Sequence, residues 1–182
     1  MSCKADAKYN FAKASEHDEL VFGSARPGAP QQRCYNPEDK VTPAEVDDWA
    51  AFMTSHGVQR VVSLLSDKEL DTYEQPLSTS LSRSFKRAIN VDTKAPGGAD
   101  TLLKELQDAM QAQEKVVVHC WGGGGRSGLA LAAWLVRQHG LTPEQAAQHV
   151  MEFSRSQGAS RRADVEQLKE FLATATAAPS SL

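Results

Sequence analysis

Apolar positions along the chain fall into two rhythms. Short runs rich in β-branched residues, at residues 20–22, 58–65, 85–91 and 115–119, read as strands. Stripes at helical spacing lie between and after them: Val46, Trp49, Ala50 and Met53; Leu102, Leu103, Leu106 and Met110; Ala146, Val150 and Phe153; Val165, Leu168 and Phe171. Thr42-Pro43-Ala44-Glu45 and Thr142-Pro143-Glu144-Gln145 each place a capping hydroxyl before a proline and an acid or amide three residues on, so helices open there. Gly57 and Gly140 close them, and Ser66-Asp67-Lys68-Glu69 opens a shorter one. Residues 128–139 are apolar on nearly all sides, as a core helix requires, and the last helix is expected over about 162–173. Residues 71–84 have no clear rhythm.

Strands alternating with helices, followed by helices alone, predict an α/β fold with a mostly parallel central sheet flanked by helices. Residues 19–174 are expected to form a single domain. Residues 1–18 are read as a flexible arm, 20–22 as an edge strand and 175–182 as a frayed tail. Reactive loops in such sheets lie beyond the carboxyl ends of the strands.

One such loop stands out. In VVVHCWGGGGRSGLA, a buried strand runs into His119 and Cys120, then Trp121, Gly122, Gly123, Gly124, Gly125, Arg126 and Ser127, and then a helix. A cysteine there faces unpaired N–H groups and the positive end of a helix dipole, which favour thiolate over thiol. The glycines let the backbone curl so that N–H groups converge on one anion. Arg126 can present a planar fork to two phosphate oxygens. A cysteine buried only for packing would need neither four glycines nor that arginine. A nucleotide-binding P-loop would need a lysine that this loop lacks.

His119-Cys120-x5-Arg126-Ser127 resembles the signature loop of the cysteine-dependent tyrosine and dual-specificity phosphatases. The Trp121-Gly122-Gly123 variant is most similar to the kinase-associated branch. The likeness extends from about Thr42 to Phe171 through Glu69-Leu70, Tyr73, Gly158-Ala159 and Gln167. It implies a phosphatase-type Cys-x5-Arg loop between the central strand and a buried helix. It also implies catalytic roles for Cys120, Arg126, Asp92 and Ser127, substrate binding by Trp121, Gly122, Gly123, Gly124, Gly125 and Arg126, and a supporting role for His119. Asp92, 28 positions before Cys120, would be the proton donor on a loop with Pro96, Gly97 and Gly98. A turn aspartate bonded to its own backbone is the alternative reading of Asp92. Asp100 competes as donor but sits where a helix cap belongs. Ser127 either stabilises the leaving sulfur or caps the helix. Trp121 is either a pocket wall or core. Gln167 matches a glutamine that relatives carry near the site, although its place in the chain reads as solvent-facing. Cys34 could form a disulfide with an oxidised Cys120 or be an ordinary thiol.

Bulk properties narrow the partners. With 182 residues and a net charge of −3, the chain has no general attraction to nucleic acid or anionic membrane. No apolar run is long enough to span a bilayer, so no membrane insertion is expected. Three cysteines make no disulfide framework, and a reducing cytoplasmic compartment suits a thiolate. No cofactor or metal is implied, because Arg126 and backbone dipoles supply the positive charge. With no lysine inside the loop, a phosphorylated protein with one scissile phosphate is the expected substrate, a kinase being one candidate. A phosphoinositide or small-molecule phosphatase and a non-catalytic phosphate-binding module are the alternatives.

Overall fold

The computed structural model describes residues 7–29 and 39–176. Its five-stranded sheet has the order β1-β2-β5-β3-β4, from β1 (Ala12–Lys13), β2 (Val21–Ala25), β3 (Val58–Ser63), β4 (Arg87–Asn90) and β5 (Lys115–Cys120). All neighbours are parallel except β1 and β2. β5 is central because it is apolar on both faces, with Val116, Val117 and Val118 fully buried. Its register sets Ala25 of β2 against Cys120 and Ser63 of β3 against His119. The ends of three strands therefore converge beneath the glycine loop.

Alternation along β5 divides the core. Val117 joins Phe22, Val61, Trp49 and Met53 under α1 (Pro43–Ser55) and α3 (Leu77–Ser82). Val116 and Val118 join Val21, Val62, Leu102, Leu131 and Leu168 under α4 (Gly98–Gln111), α5 (Gly125–His139), α6 (Pro143–Ser156) and α7 (Val165–Thr174). Both expected capping boxes are formed, Thr42 with Glu45 and Thr142 with Gln145. The short helix α2 (Asp67–Leu70) follows Ser66. At the β4 edge, Glu105 of α4 bonds Arg60 at 3.1 Å and Arg87 at 2.7 Å, tying β3 and β4 to that helix. Among the described residues no helix is long and apolar enough to cross a membrane.

Several boundaries correct the sequence reading. Residues 7–18 are not a loose arm: a short helical turn, Lys8–Asn10, and β1 pack on β2, and Tyr9, Ala12, Ala14 and Asp18 are buried. β2 is consequently an interior strand, hydrogen-bonded on both sides, and β1 takes the edge. Asp100 does not cap α4. Gly97 holds the cap position, and the Asp100 carboxylate accepts from the Thr176 amide at 2.8 Å. That bond holds residue 176, at the start of the expected frayed tail, against α4. α5 begins three residues earlier than expected, and α7 begins at Val165 with Asp164 as its cap. Residues 177–182 and Cys34 lie outside the described residues.

Candidate active site

Cys120 ends β5 and is only 3 % exposed, yet it lines a cleft of about 660 Å³ together with Trp121, Gly124, Arg126, Arg162 and Gln167. The sulfur-bearing residue is thus at the base of a pocket rather than sealed in the core. One position of the loop above it requires glycine. Gly123 has φ +75°, and a Cβ there would lie 2.5 Å from the carbonyl carbon of Ser24. None of the backbone hydrogen bonds among the described residues is donated by Gly122, Gly123, Gly124 or Gly125. Four consecutive amides at the start of α5 therefore lack a backbone acceptor, the condition under which a loop holds an anion.

Arg126 is fixed by Glu69, which the sequence reading placed in a helix cap and in the family likeness without giving it a role at the site. Its Nη1 donates to Glu69 Oε2 and its Nη2 to Glu69 Oε1, both at 2.6 Å, and Nη1 also donates to the Leu64 carbonyl at 2.6 Å. Burial alone would raise the Glu69 carboxyl, but Arg126 and the Ser66 amide together hold it below the ordinary value. The same Oε2 accepts from the Ser66 amide at 2.8 Å, so the α2 capping box and the arginine clamp share one carboxylate. Of the two sequence signals at Glu69, Ser-x-x-Glu indicated the cap, and the family likeness gave no role.

His119 is fully buried, with Trp49 edge-on at 5.4 Å and Nδ1 3.5 Å from the Cys120 carbonyl oxygen. Burial pushes its pKa down to about 4, so the ring is neutral at physiological pH. Ser127 is also fully buried, and its hydroxyl has no hydrogen-bond partner among the described residues. It is the third residue of α5 and makes no capping bond, so the capping alternative is excluded. Trp121 serves as both wall and packing element: it lines the cleft, leans on the core beside α1, and stacks under the Arg26 guanidinium at 3.5 Å.

Asp92 is not in the Cys120 cleft. It lines a neighbouring cleft of about 470 Å³ with Ser66, Glu69, Asn90, Lys94 and Arg126, and Arg126 is common to both clefts. Its Oδ1 accepts from the Lys94 amide at 2.9 Å, the backbone-bonded turn that stood as the alternative to proton donor. Gln167, read from sequence as facing solvent, is exposed and at the same time lines the Cys120 cleft.

Two further residues brace the loop from behind. Asn10 donates to the carbonyls of Gly122 at 2.9 Å and Ser160 at 3.0 Å and accepts from the Ser160 amide at 2.8 Å. Arg161 is buried, and its Nη2 donates to the carbonyls of Asn10 at 2.6 Å and Gly23 at 2.7 Å. Burial lowers its pKa to about 10, with nearby Cys120 opposing that shift. No local sequence pattern indicated either residue, because each depends on contacts between distant segments.

A family model described as "PTP-SAK: Swiss Army Knife protein, DSP-PTPase phosphatase domain" matches residues 40–179. The chain belongs to this family of dual-specificity-type phosphatase domains. It is 27 % identical over 100 residues to mouse cyclin-dependent kinase inhibitor 3, covering 52 % of this chain and 47 % of the relative. It is 32 % identical over 111 residues to mouse phosphatidylglycerophosphatase and protein-tyrosine phosphatase 1, covering 56 % and 57 %. The chain thus spans about half the length of these curated relatives. Among solved structures it is similar to Tk-PTP in the active form, with 26 % identity, TM-score 0.55 and coverage of 86 % of this chain and 90 % of that one. The fold also matches PTPMT1 in complex with PI(5)P, with 19 % identity, TM-score 0.63 and coverage of 88 % and 93 %.

Proposed function

We propose that the chain is a cysteine-dependent phosphoprotein phosphatase that hydrolyses phosphotyrosine and phosphoserine or phosphothreonine monoesters through a phosphocysteine. The observation that carries this reading is Cys120 at the base of an open cleft, beneath four glycine amides that donate to no backbone carbonyl among the described residues. The Cys120 thiolate attacks phosphorus while those amides and Arg126 hold the equatorial oxygens. As the P–O bond breaks, its electron pair goes to the leaving oxygen, which takes a proton from Asp92. Water then attacks the phosphocysteine, giving its proton to the Asp92 carboxylate, and sulfur departs as thiolate. The unpartnered Ser127 hydroxyl supplies a hydrogen bond to that sulfur. For this role Asp92 must release the Lys94 amide and cross beside Arg126 into the Cys120 cleft. The neutral His119 ring supports the loop through packing. The likeness to cyclin-dependent kinase inhibitor 3 supports a kinase as one phosphoprotein partner, and a reducing cytoplasmic compartment remains the natural setting for the thiolate.

The likenesses to phosphatidylglycerophosphatase and protein-tyrosine phosphatase 1 and to the PI(5)P-bound fold favour a second reading, a lipid or inositol phosphate substrate. Turnover of para-nitrophenyl phosphate without added metal tests the chemistry. Cys120→Ser is expected to abolish that turnover while phosphate still binds. Asp92→Ala should lower the rate about a hundredfold, most for substrates with poor leaving groups. Unimpaired hydrolysis by the serine variant would remove the mechanism. A panel of phosphotyrosine, phosphothreonine and inositol phosphate substrates separates the two substrate classes.

A further inference from the structure

The loop sequence suggested a site for one phosphate because Arg126 was its only cation. The fold brings a second guanidinium to the same cleft from a distant segment. Arg162 lies between α6 and α7 and lines the Cys120 cleft. Its Nε and Nη2 lie 3.9 and 4.0 Å from where a Cβ on Gly124 would stand. The guanidinium therefore borders the glycine loop itself.

The Arg162 backbone is clamped to that loop. Its amide donates to the Gly124 carbonyl at 3.1 Å. On the other side, α5 approaches so closely that a Cβ on Gly128 would lie 2.2 Å from the Arg162 carbonyl oxygen. The side chain, by contrast, is exposed and makes no hydrogen bond or ion pair among the described residues. Arg126 is held differently, since Glu69 and the Leu64 carbonyl engage its guanidinium. The acid nearest Arg162 along the chain is Asp164, which lines the same cleft and uses Oδ1 to cap α7 through the Gln167 amide at 2.9 Å.

We propose that Arg162 forms a second anion subsite, which selects phosphopeptides carrying another negative charge beside the scissile phosphorylated residue. This rests on the reading that the Cys120 loop holds the scissile phosphoryl group of a phosphoprotein. Three observations favour this assignment. The cleft, about 660 Å³, is larger than one phosphoryl group requires. The planar fork of arginine suits a phosphate or carboxylate better than a point charge would. Residues two apart in an extended peptide place their side chains on one face about 7 Å apart, so an acidic or phosphorylated side chain there reaches the loop rim while the first occupies its centre. The apolar surfaces of Trp121 and Leu129 in the same cleft suit a peptide side chain between the two anions.

The test uses the full chain and matched peptides. One carries a single phosphotyrosine with neutral neighbours. The second adds phosphothreonine two residues from it, and the third adds glutamate there. Wild type is expected to favour the doubly charged peptides about tenfold in kcat/KM, and raising the salt should shrink the preference. In Arg162→Ala the ratio of doubly to singly charged substrate should fall toward one, and Arg162→Lys should restore part of it. Equal losses on all peptides, or an unchanged ratio, would overturn the subsite while leaving the phosphoprotein reading intact. A ratio that changes only between inositol bisphosphate and monophosphate would also overturn it. Hydrolysis of para-nitrophenyl phosphate but of no peptide would instead overturn the phosphoprotein reading.

Discussion

At the scale of single residues, burial decides more than identity. His119 has its ordinary pKa of 6.5 lowered to about 4 by burial. Below 6.5 the unfolded chain takes up a proton that the folded chain refuses until about pH 4, so acid favours unfolding across that window. Each pKa unit is worth about 1.4 kcal/mol, so the loss attributable to this ring is on the order of 3 kcal/mol. Urea titrations of wild type and His119→Gln at pH 7 and pH 4 should show wild type losing that much more. Equal losses would mean the ring is not held neutral. Cys120, Arg126 and the glycines were legible from the sequence because the loop is built from consecutive residues. Arg162 and Asn10 were not, because tertiary packing from other elements brings them to the loop. Gln167 fits both of its readings, because a residue at the mouth of a cleft is exposed and still lines the site.

Among the elements, helix starts carry most of the site's geometry. The capping boxes of α1 and α6 could be read directly, since cap and partner lie three residues apart. α4, α5 and α7 were misplaced at their N-termini. Two of them open on glycine with no side-chain cap, and Asp164, the cap of α7, lies inside the stretch assigned to the helix. α2 is only four residues long, but it delivers Glu69 to Arg126. Glu69→Gln keeps the size of the side chain and removes the charge that aligns the guanidinium. A fall in kcat/KM of about ten- to a hundredfold on para-nitrophenyl phosphate is expected, with little change in far-UV circular dichroism. Because the folded carboxyl sits below 4.5, its stabilising contribution is whole above that pH and is lost as pH falls through the folded value. The variant should therefore show a shallower acid limb in a stability–pH curve.

Across the whole molecule, the alternation of strand and helix was enough to give the class of fold, because a sheet apolar on both faces needs helices on both. The order of strands was not legible at its β1–β2 edge. β1 has only two residues, too few for a periodic signal, and its pairing turns β2 into an interior strand. At the opposite edge, stability depends on charge. Glu105 is 4 % exposed and is shared by Arg60 and Arg87. Glu105→Ala leaves a largely buried guanidinium at Arg60 without that partner and should cost about 3 kcal/mol in urea unfolding. A change below about 1 kcal/mol would indicate that Glu114, which also pairs with Arg60, suffices alone.

The three hydrogen bonds of Asn10 also give the opening stretch of the chain a hold on chemistry more than a hundred positions away. A protease that trimmed past that asparagine would leave every reacting group in place and still slacken the cradle from its rear. Catalysis would then fail on warming well before the scaffold melts, so the segment that carries this asparagine would govern enzymatic endurance rather than folding.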